Sequence, residues 1–349
     1  MGDTPTEITR RDFLKLGVGG ATGLIGAGTL AAALLTPPAR IAQPAAHAQH
    51  SSADHDAHSL MPGLDGEVDH VANGFHPSEL LTSFDYGRLS TLPNGQTLRE
   101  YNFFASTKTI EIAAGISFEA WTYNGRIPGP TIRAREGDRL RIHFTNATAH
   151  PHSIHFHGIH PGSMDGVYEP VPVGGHFTYE FDAEPFGLHL YHCHISPLAE
   201  HISKGLYGAF IVEPKQGWPH ADHELVMVMN GFDIDFDGEN DLYAVNAIPF
   251  HYDKNPIRIK TGELVRIFLV NMLEFDAINS FHLHGNLFHY FPTGTSLTPS
   301  EYTDTVMQAQ AQRGILEFRY KYPGRFMFHA HKVEFADLGW SGVLEVEAA

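Results

Sequence analysis

From Tyr101 onward, apolar positions along the chain come in short runs separated by Gly, Pro and Asn. Leu140-Arg141-Ile142-His143-Phe144 alternates, as expected of a strand with one face in a core and the other in water. Leu264-Val265-Arg266-Ile267-Phe268-Leu269-Val270 is more continuously apolar. Short strands at this spacing, without long helical patterns, predict an all-β chain built from β-sandwiches. Met227 and Met229, on one such run, are expected in a core.

The pattern repeats. Arg135-Glu136-Gly137-Asp138-Arg139-Leu140-Arg141-Ile142 through Asn146 matches Lys260-Thr261-Gly262-Glu263-Leu264-Val265-Arg266-Ile267 through Asn271. Further on, His155-Phe156-His157-Gly158 matches His282-Leu283-His284-Gly285. Near the end of each half, Phe186-Gly187 and His192-Cys193-His194 match Pro323-Gly324 and His329-Ala330-His331. Two copies of one sandwich are therefore expected, over 100–214 and 215–349, joined by a linker from Pro214 to Pro219.

The N-terminus reads differently. Thr9-Arg10-Arg11-Asp12-Phe13-Leu14-Lys15 precedes a weakly apolar Gly/Ala-rich stretch from Leu16 to Leu35, then Ala46-His47-Ala48. Charged, apolar and small-x-small segments in this order predict a signal peptide over 1–48, and the paired arginines resemble a twin-arginine signal. The mature chain would then be periplasmic or secreted and would not span the membrane. An N-terminal extension over 49–99 follows, partly disordered, with a polar His-rich stretch over 47–58.

Composition narrows the partners. A net charge of -17 argues against nucleic acid, whose phosphates need clustered Lys and Arg. The single cysteine, Cys193, excludes an intrachain disulfide framework, and both its neighbours are among the chain's 25 histidines. Imidazole is the commonest metal ligand.

Each half carries two His-x-His pairs: His155/His157 and His192/His194 in the first, His282/His284 and His329/His331 in the second. Residues two apart on a strand share a face, so each pair can present two imidazoles to one side. One such pair is common surface decoration, whereas four placed symmetrically in a repeat point to a ligand set. Eight neutral imidazoles suit borderline metal ions such as copper and not magnesium or calcium, which take oxygen ligands. A thiolate with two imidazoles is a blue-copper donor set, and His152 and His201 are the candidates to complete it around Cys193. His143, His160, His176, His189, His251 and His289 are read as structural or surface residues.

These motifs, with Pro151-His152-Ser153-Ile154 before the first His-x-His, resemble the four copper motifs of the multicopper oxidases. The length resembles the small two-domain laccase-like branch, related to copper nitrite reductases. The resemblance implies two cupredoxin-like Greek-key domains, one type 1 copper held by His152, Cys193 and His201, and a type 2/type 3 trinuclear cluster held by the eight paired histidines. It implies about four coppers per chain. A small reducing substrate, a phenol, aromatic amine or metal ion, would be oxidised one electron at a time near the imidazole edges of His152 or His201. Electrons would pass from Cys193 to His192 and His194, and O2 would be reduced to water. The resemblance further implies a homotrimer with clusters at subunit interfaces.

The second half departs from a type 1 site: Asn279 stands where His152 does, Ala330 replaces the cysteine, and Leu338 falls at the position of His201. Type 1 copper is thus expected in the first domain only. Leu206 occupies the place of the family's frequent axial Met, which predicts a raised potential, because less electron donation favours the reduced ion. Asp165, in Met164-Asp165-Gly166, is the expected proton-delivering acid, with Glu334 and Asp337 weaker candidates. Two rivals stand beside the oxidase. A nitrite reductase would need Asp in place of His155, and a non-catalytic copper carrier would leave the second half's His pairs without a purpose.

Overall fold

The computed structural model describes residues 64 and 66–349. The expected signal peptide and the His-rich stretch over 47–58 lie outside the described residues.

Two β-sandwiches follow one another. In the first, β1 (Phe84–Asp85), β5 (Thr131–Arg135), β10 (Tyr207–Glu213), β9 (Gly187–His192) and β7 (His155–Phe156) form one sheet in that spatial order. The facing sheet runs β2 (Arg88–Thr91), β3 (Thr97–Ala113), β6 (Arg139–Asn146) and β8 (His176–Asp182), with β4 (Ile116–Tyr123) paired to β3. In the second, β12 (Leu242–Val245), β11 (His223–Phe232), β14 (Val265–Asn271), β19 (Arg313–Phe318), β16 (Phe288–Pro292) and β17 (Glu301–Thr303) face a second sheet. That sheet runs β13 (Asn255–Lys260), β21 (Ser341–Glu347), β20 (Gly324–His329), β15 (Ile278–Leu283) and β18 (Thr305–Ala309). The described helices are short: α1 (His70–Asn73), α2 (Pro77–Leu80), α3 (Leu198–Ser203), α4 (His251–Lys254) and α5 (Val333–Asp337).

Period-two alternation divides the apolar residues among three cores. Phe103, Ile142, Phe156, Tyr191 and Phe210 fill the first sandwich, and Met227, Met229, Ile267, Leu269, Phe281 and Phe328 fill the second. The third core lies between the sandwiches. There Leu188, Leu190, Ala209 and Ile211 of β9 and β10 meet Val226, Val228, Phe268 and Val270 of β11 and β14. A strand buried on both faces must be apolar at every position, which accounts for the continuous run around Val265–Val270.

Arg266 breaks that run and is nevertheless 1% exposed. A buried guanidinium needs carboxylate partners, and Glu224 (2.9 Å) and Glu317 (2.6 Å) provide them. Glu224 also meets Arg133 of the first sandwich at 2.8 Å, so one carboxylate ties the halves together. The segment before β1 adds another tie: Leu81 packs in the second core, and its carbonyl accepts from Val226 N–H.

Candidate metal centres

Alternation at the end of β9 sends neighbouring side chains in opposite directions. Cys193 points into the first sandwich core, while the rings of His192 and His194 both meet His155. Inside the core, Cys193 Sγ lies 3.2 Å from His201 Nδ1 and 3.7 Å from His152 Nδ1, and the two nitrogens are 3.1 Å apart. Ser153 N–H donates to Sγ at 3.4 Å. Burial, reinforced by neighbouring imidazoles, pushes His152 down to about 3 and His201 to about 4, so both are neutral at ordinary pH. Burial also raises the Cys193 thiol, which a bound soft cation would reverse by taking the thiolate as ligand. Two neutral nitrogens and one sulfur converging at a dry point fit copper. Leu206, fully buried in the same core, donates no heteroatom, and its carbonyl accepts from Cys193 N–H.

The paired histidines form two quartets. In the first, β7 lies antiparallel to β9 with His155 opposite His192, and His157 Nε2 is 3.2 Å from His192 Nε2. In the second, His282 lies opposite His329, and His284 Nε2 is 2.9 Å from His329 Nε2. The Nδ1 atoms of four of these rings face backbone carbonyls: His155 to Asp165 (2.8 Å), His192 to Cys193 (2.8 Å), His282 to Asp304 (3.0 Å) and His329 to Ala330 (2.7 Å). A carbonyl only accepts, so Nδ1 must carry the proton and Nε2 is left with its lone pair. Fixing the tautomer through the far nitrogen is how protein metal sites prepare imidazole ligands. Burial lowers His157 to about 2 and His192 to about 4, and also lowers His194 and His329, which keeps these rings neutral. The quartets fit copper ions by donor chemistry. Among the described residues, no group of three converging ligand atoms draws on both halves.

Asp165 sits where expected. Its carboxylate is 3.2 Å from His155 Nδ1 and 3.8 Å from His160 Nε2. His160 is structural, as expected: its Nε2 faces the Phe156 carbonyl at 2.8 Å, and its largely buried ring lies behind Asp165. In the second half the acid beside the quartet is Asp304, whose carboxylate is 4.0 Å from His282 Nδ1. Glu334 is exposed and pairs with Lys332 at 3.3 Å, and Asp337 ends α5. Ser153 and Ser280 were not singled out, although they share one place in the repeat. Their hydroxyls accept from His194 N–H and His331 N–H.

One expectation is corrected. Leu338 does not stand in the place of His201. Leu206 O accepts from Cys193 N–H and Leu206 N–H donates to His201 O; correspondingly, Trp340 O accepts from Ala330 N–H and Trp340 N–H donates to Phe335 O. The counterpart of His201 is therefore Phe335, because the first half spends three more residues between its His-x-His and this position, two of them before the helix. Trp340 fills the place of Leu206 and donates to Asn279 Oδ1 at 3.1 Å. Of the two imidazoles, His201 alone keeps any exposure (3%), against 0% for His152.

Residues 105–217 and 220–349 each match a multicopper oxidase family. The chain is 31% identical over 268 residues to a copper-containing nitrite reductase of Neisseria meningitidis, spanning 69% of this chain and 68% of that protein. Among solved structures, a multicopper oxidase shares 62% identity at a TM-score of 0.79, over 80% of this chain and 100% of the other. A blue copper oxidase from Nitrosomonas europaea shares 29% identity at a TM-score of 0.64, over 72% and 86%.

Proposed function

The chain belongs to the multicopper oxidase family, and from that membership we propose that it is a laccase-like oxidase, taking single electrons from a small reducing substrate and passing them to O2. The carrying observation is the pair of histidine quartets, each with Nδ1 atoms committed to carbonyls and Nε2 lone pairs left to bind metal. Copper bound to these residues would supply one-electron transfer at the Cys193 site and four-electron reduction of O2 to water at the histidine cluster.

The chain's own residues set the rest. His152, Cys193 and His201 would hold the first copper. Cys193 is covalently continuous with His192 and His194, and its carbonyl accepts from His192 Nδ1–H at 2.8 Å, a second and shorter link toward the quartet. Asp165, 3.2 Å from His155 Nδ1, would hold a proton beside the cluster and release it inward. The eight quartet histidines would complete one trinuclear cluster from a first half and a second half. We infer a homotrimer in which those halves belong to adjacent chains. This is supported by the separation of the quartets within one chain and by exposed apolar residues beside each: Ile159 and Tyr168 near the first, Ile278 and Val333 near the second. Export by the twin-arginine signal belongs to the same reading, and the mature protein is expected in the periplasm or medium on fractionation.

The nitrite reductase relative makes the competing activity specific. Metal analysis of the reconstituted protein should give about four coppers per chain, and O2 uptake should exceed nitric oxide production. About one copper per chain would indicate a carrier, and nitric oxide from nitrite without O2 uptake would indicate a reductase.

A further inference from the structure

Lys204 carries a buried charge that no acid neutralises. It follows α3 directly, three residues beyond His201, and is 7% exposed. Its ammonium lies 4.0 Å from the Phe236 ring and 5.4 Å from the Trp121 ring, and among the described residues it pairs with no carboxylate. Asp235, Asp237 and Glu239, in the loop that carries Phe236, are exposed. Ring faces hold a cation through their quadrupoles and bring no net charge, whereas a carboxylate would cancel it. The neighbours of Lys204 therefore feel its whole charge. Those neighbours include the ligands of the Cys193 site: Trp121, on β4, lies edge-on to His201 and His152, with centroids 4.8 Å and 5.1 Å away, so the ammonium and both imidazoles pack on one indole.

The repeat shows that packing does not require this charge. Trp121 N–H donates to Lys204 O at 2.9 Å and Lys204 N–H to Glu200 O at 3.0 Å; Tyr243 N–H donates to Leu338 O at 3.0 Å and Leu338 N–H to Glu334 O at 3.0 Å. Lys204 and Leu338 thus hold the same place. The half with a thiolate and two imidazoles has lysine there, and the half without them has leucine, packed against the second core. Burying an ammonium costs solvation that leucine does not lose, so the lysine is retained at a cost only where a metal site lies beside it.

We propose that Lys204 raises the reduction potential of the Cys193 site, independently of Leu206. The inference rests on the oxidase reading for the copper held by His152, Cys193 and His201. Reduction brings in one electron from the donor, which leaves one-electron oxidised and gives any proton to water. The summed charge of metal and ligands falls by one. A nearby positive charge disfavours the more positive, oxidised form and so draws the equilibrium toward the reduced one. Because the ammonium is buried, dissolved salt screens it poorly. It acts by its field and needs no bond to metal or donor.

Spectroelectrochemical titration of the copper-loaded protein, followed by its blue absorption, tests this on the wild type and on Lys204→Met, Lys204→Gln and Lys204→Arg. At the applied potential that half-reduces the wild type, the Met and Gln variants should favour the oxidised form by roughly tenfold, with the blue band unmoved. Lys204→Arg keeps the charge and should titrate with the wild type. Neutral variants that titrate with the wild type would overturn the proposal. So would an Arg variant that titrates with the neutral ones, which would assign the effect to packing of the lysine stem, and so would loss of the blue band in both neutral variants, which would make the residue structural. A wild-type protein that binds copper without a blue band would instead sink the copper reading of Cys193, on which the role of Lys204 depends.

Discussion

Asp165 is held against His155 by a turn that only glycine can close. Gly166 has φ +73°, and a Cβ there would fall 2.0 Å from Ile154 O. Replacing the acid while keeping the turn separates chemistry from structure. Asp165→Asn should slow O2 consumption on the order of 10²-fold, the typical worth of a positioned acid or base, and leave the blue absorption intact. Stopped-flow reoxidation and the visible spectrum check it, and loss of both colour and fold would assign Asp165 a structural role. Leu206 is the second informative side chain. It presents only carbon to the Cys193 site, so Leu206→Met should lower the reduction potential by adding a thioether donor. Spectroelectrochemical titration of both proteins reads the sign, and an equal or higher potential in the variant would contradict it.

At the scale of elements, the asymmetry between the halves comes from two connections. Ile195-Ser196-Pro197 separates His194 from α3, whereas Lys332 alone separates His331 from α5, so α3 delivers His201 where α5 delivers Phe335. This equivalence allows a second blue site to be rebuilt. Asn279→His, Ala330→Cys, Phe335→His and Trp340→Leu together should add about one copper per chain and raise the blue absorbance. The same set with Leu338→His in place of Phe335→His should add neither. Copper analysis and absorbance per chain decide between them. Because Phe335 stacks on Tyr243 at 3.9 Å and is fully buried, some stability will be lost, and the two sets should be compared at matched folding.

For the whole molecule, the sandwiches are fixed by the shared core around Leu190 and Val228 and by Glu224, which keeps the two quartets of one chain as separate groups. Oxidase activity should therefore track assembly: a trimer in sedimentation, and activity that falls on dilution to monomer. A monomer with full activity would overturn the shared cluster. Acid stability of the metal-free chain follows from burial of its ligands. His152, His157, His192 and His201 titrate near 3, 2, 4 and 4, against 6.5 for an unperturbed histidine. Between 6.5 and those values the unfolded chain binds protons that the folded chain refuses, so their contribution is complete above about pH 6.5 and lost as pH falls. The Tm of the copper-free protein should fall steadily on acidification from pH 6.5 to 4, and a constant or rising Tm would contradict this.

The repeat, the all-β class and the eight paired histidines with Cys193 were legible in the sequence because strand alternation and His-x-His spacing are local: period two alone sends His192 and His194 one way and Cys193 the other. The place of Leu206 came instead from the resemblance to the family, whose frequent axial Met stands at that position. Tertiary structure alone decided the rest. Asp304 comes beside His282 through pairing of β15 with β18, and Trp121 covers the Cys193 site from a strand that precedes every ligand. Phe335 replaces Leu338 as the counterpart of His201 because backbone hydrogen bonds, and not residue counts, set equivalence across a loop that changed length. Spacing fixes which residues can bind a metal together; what stands between them and the solvent depends on contacts between distant segments, which no local period encodes.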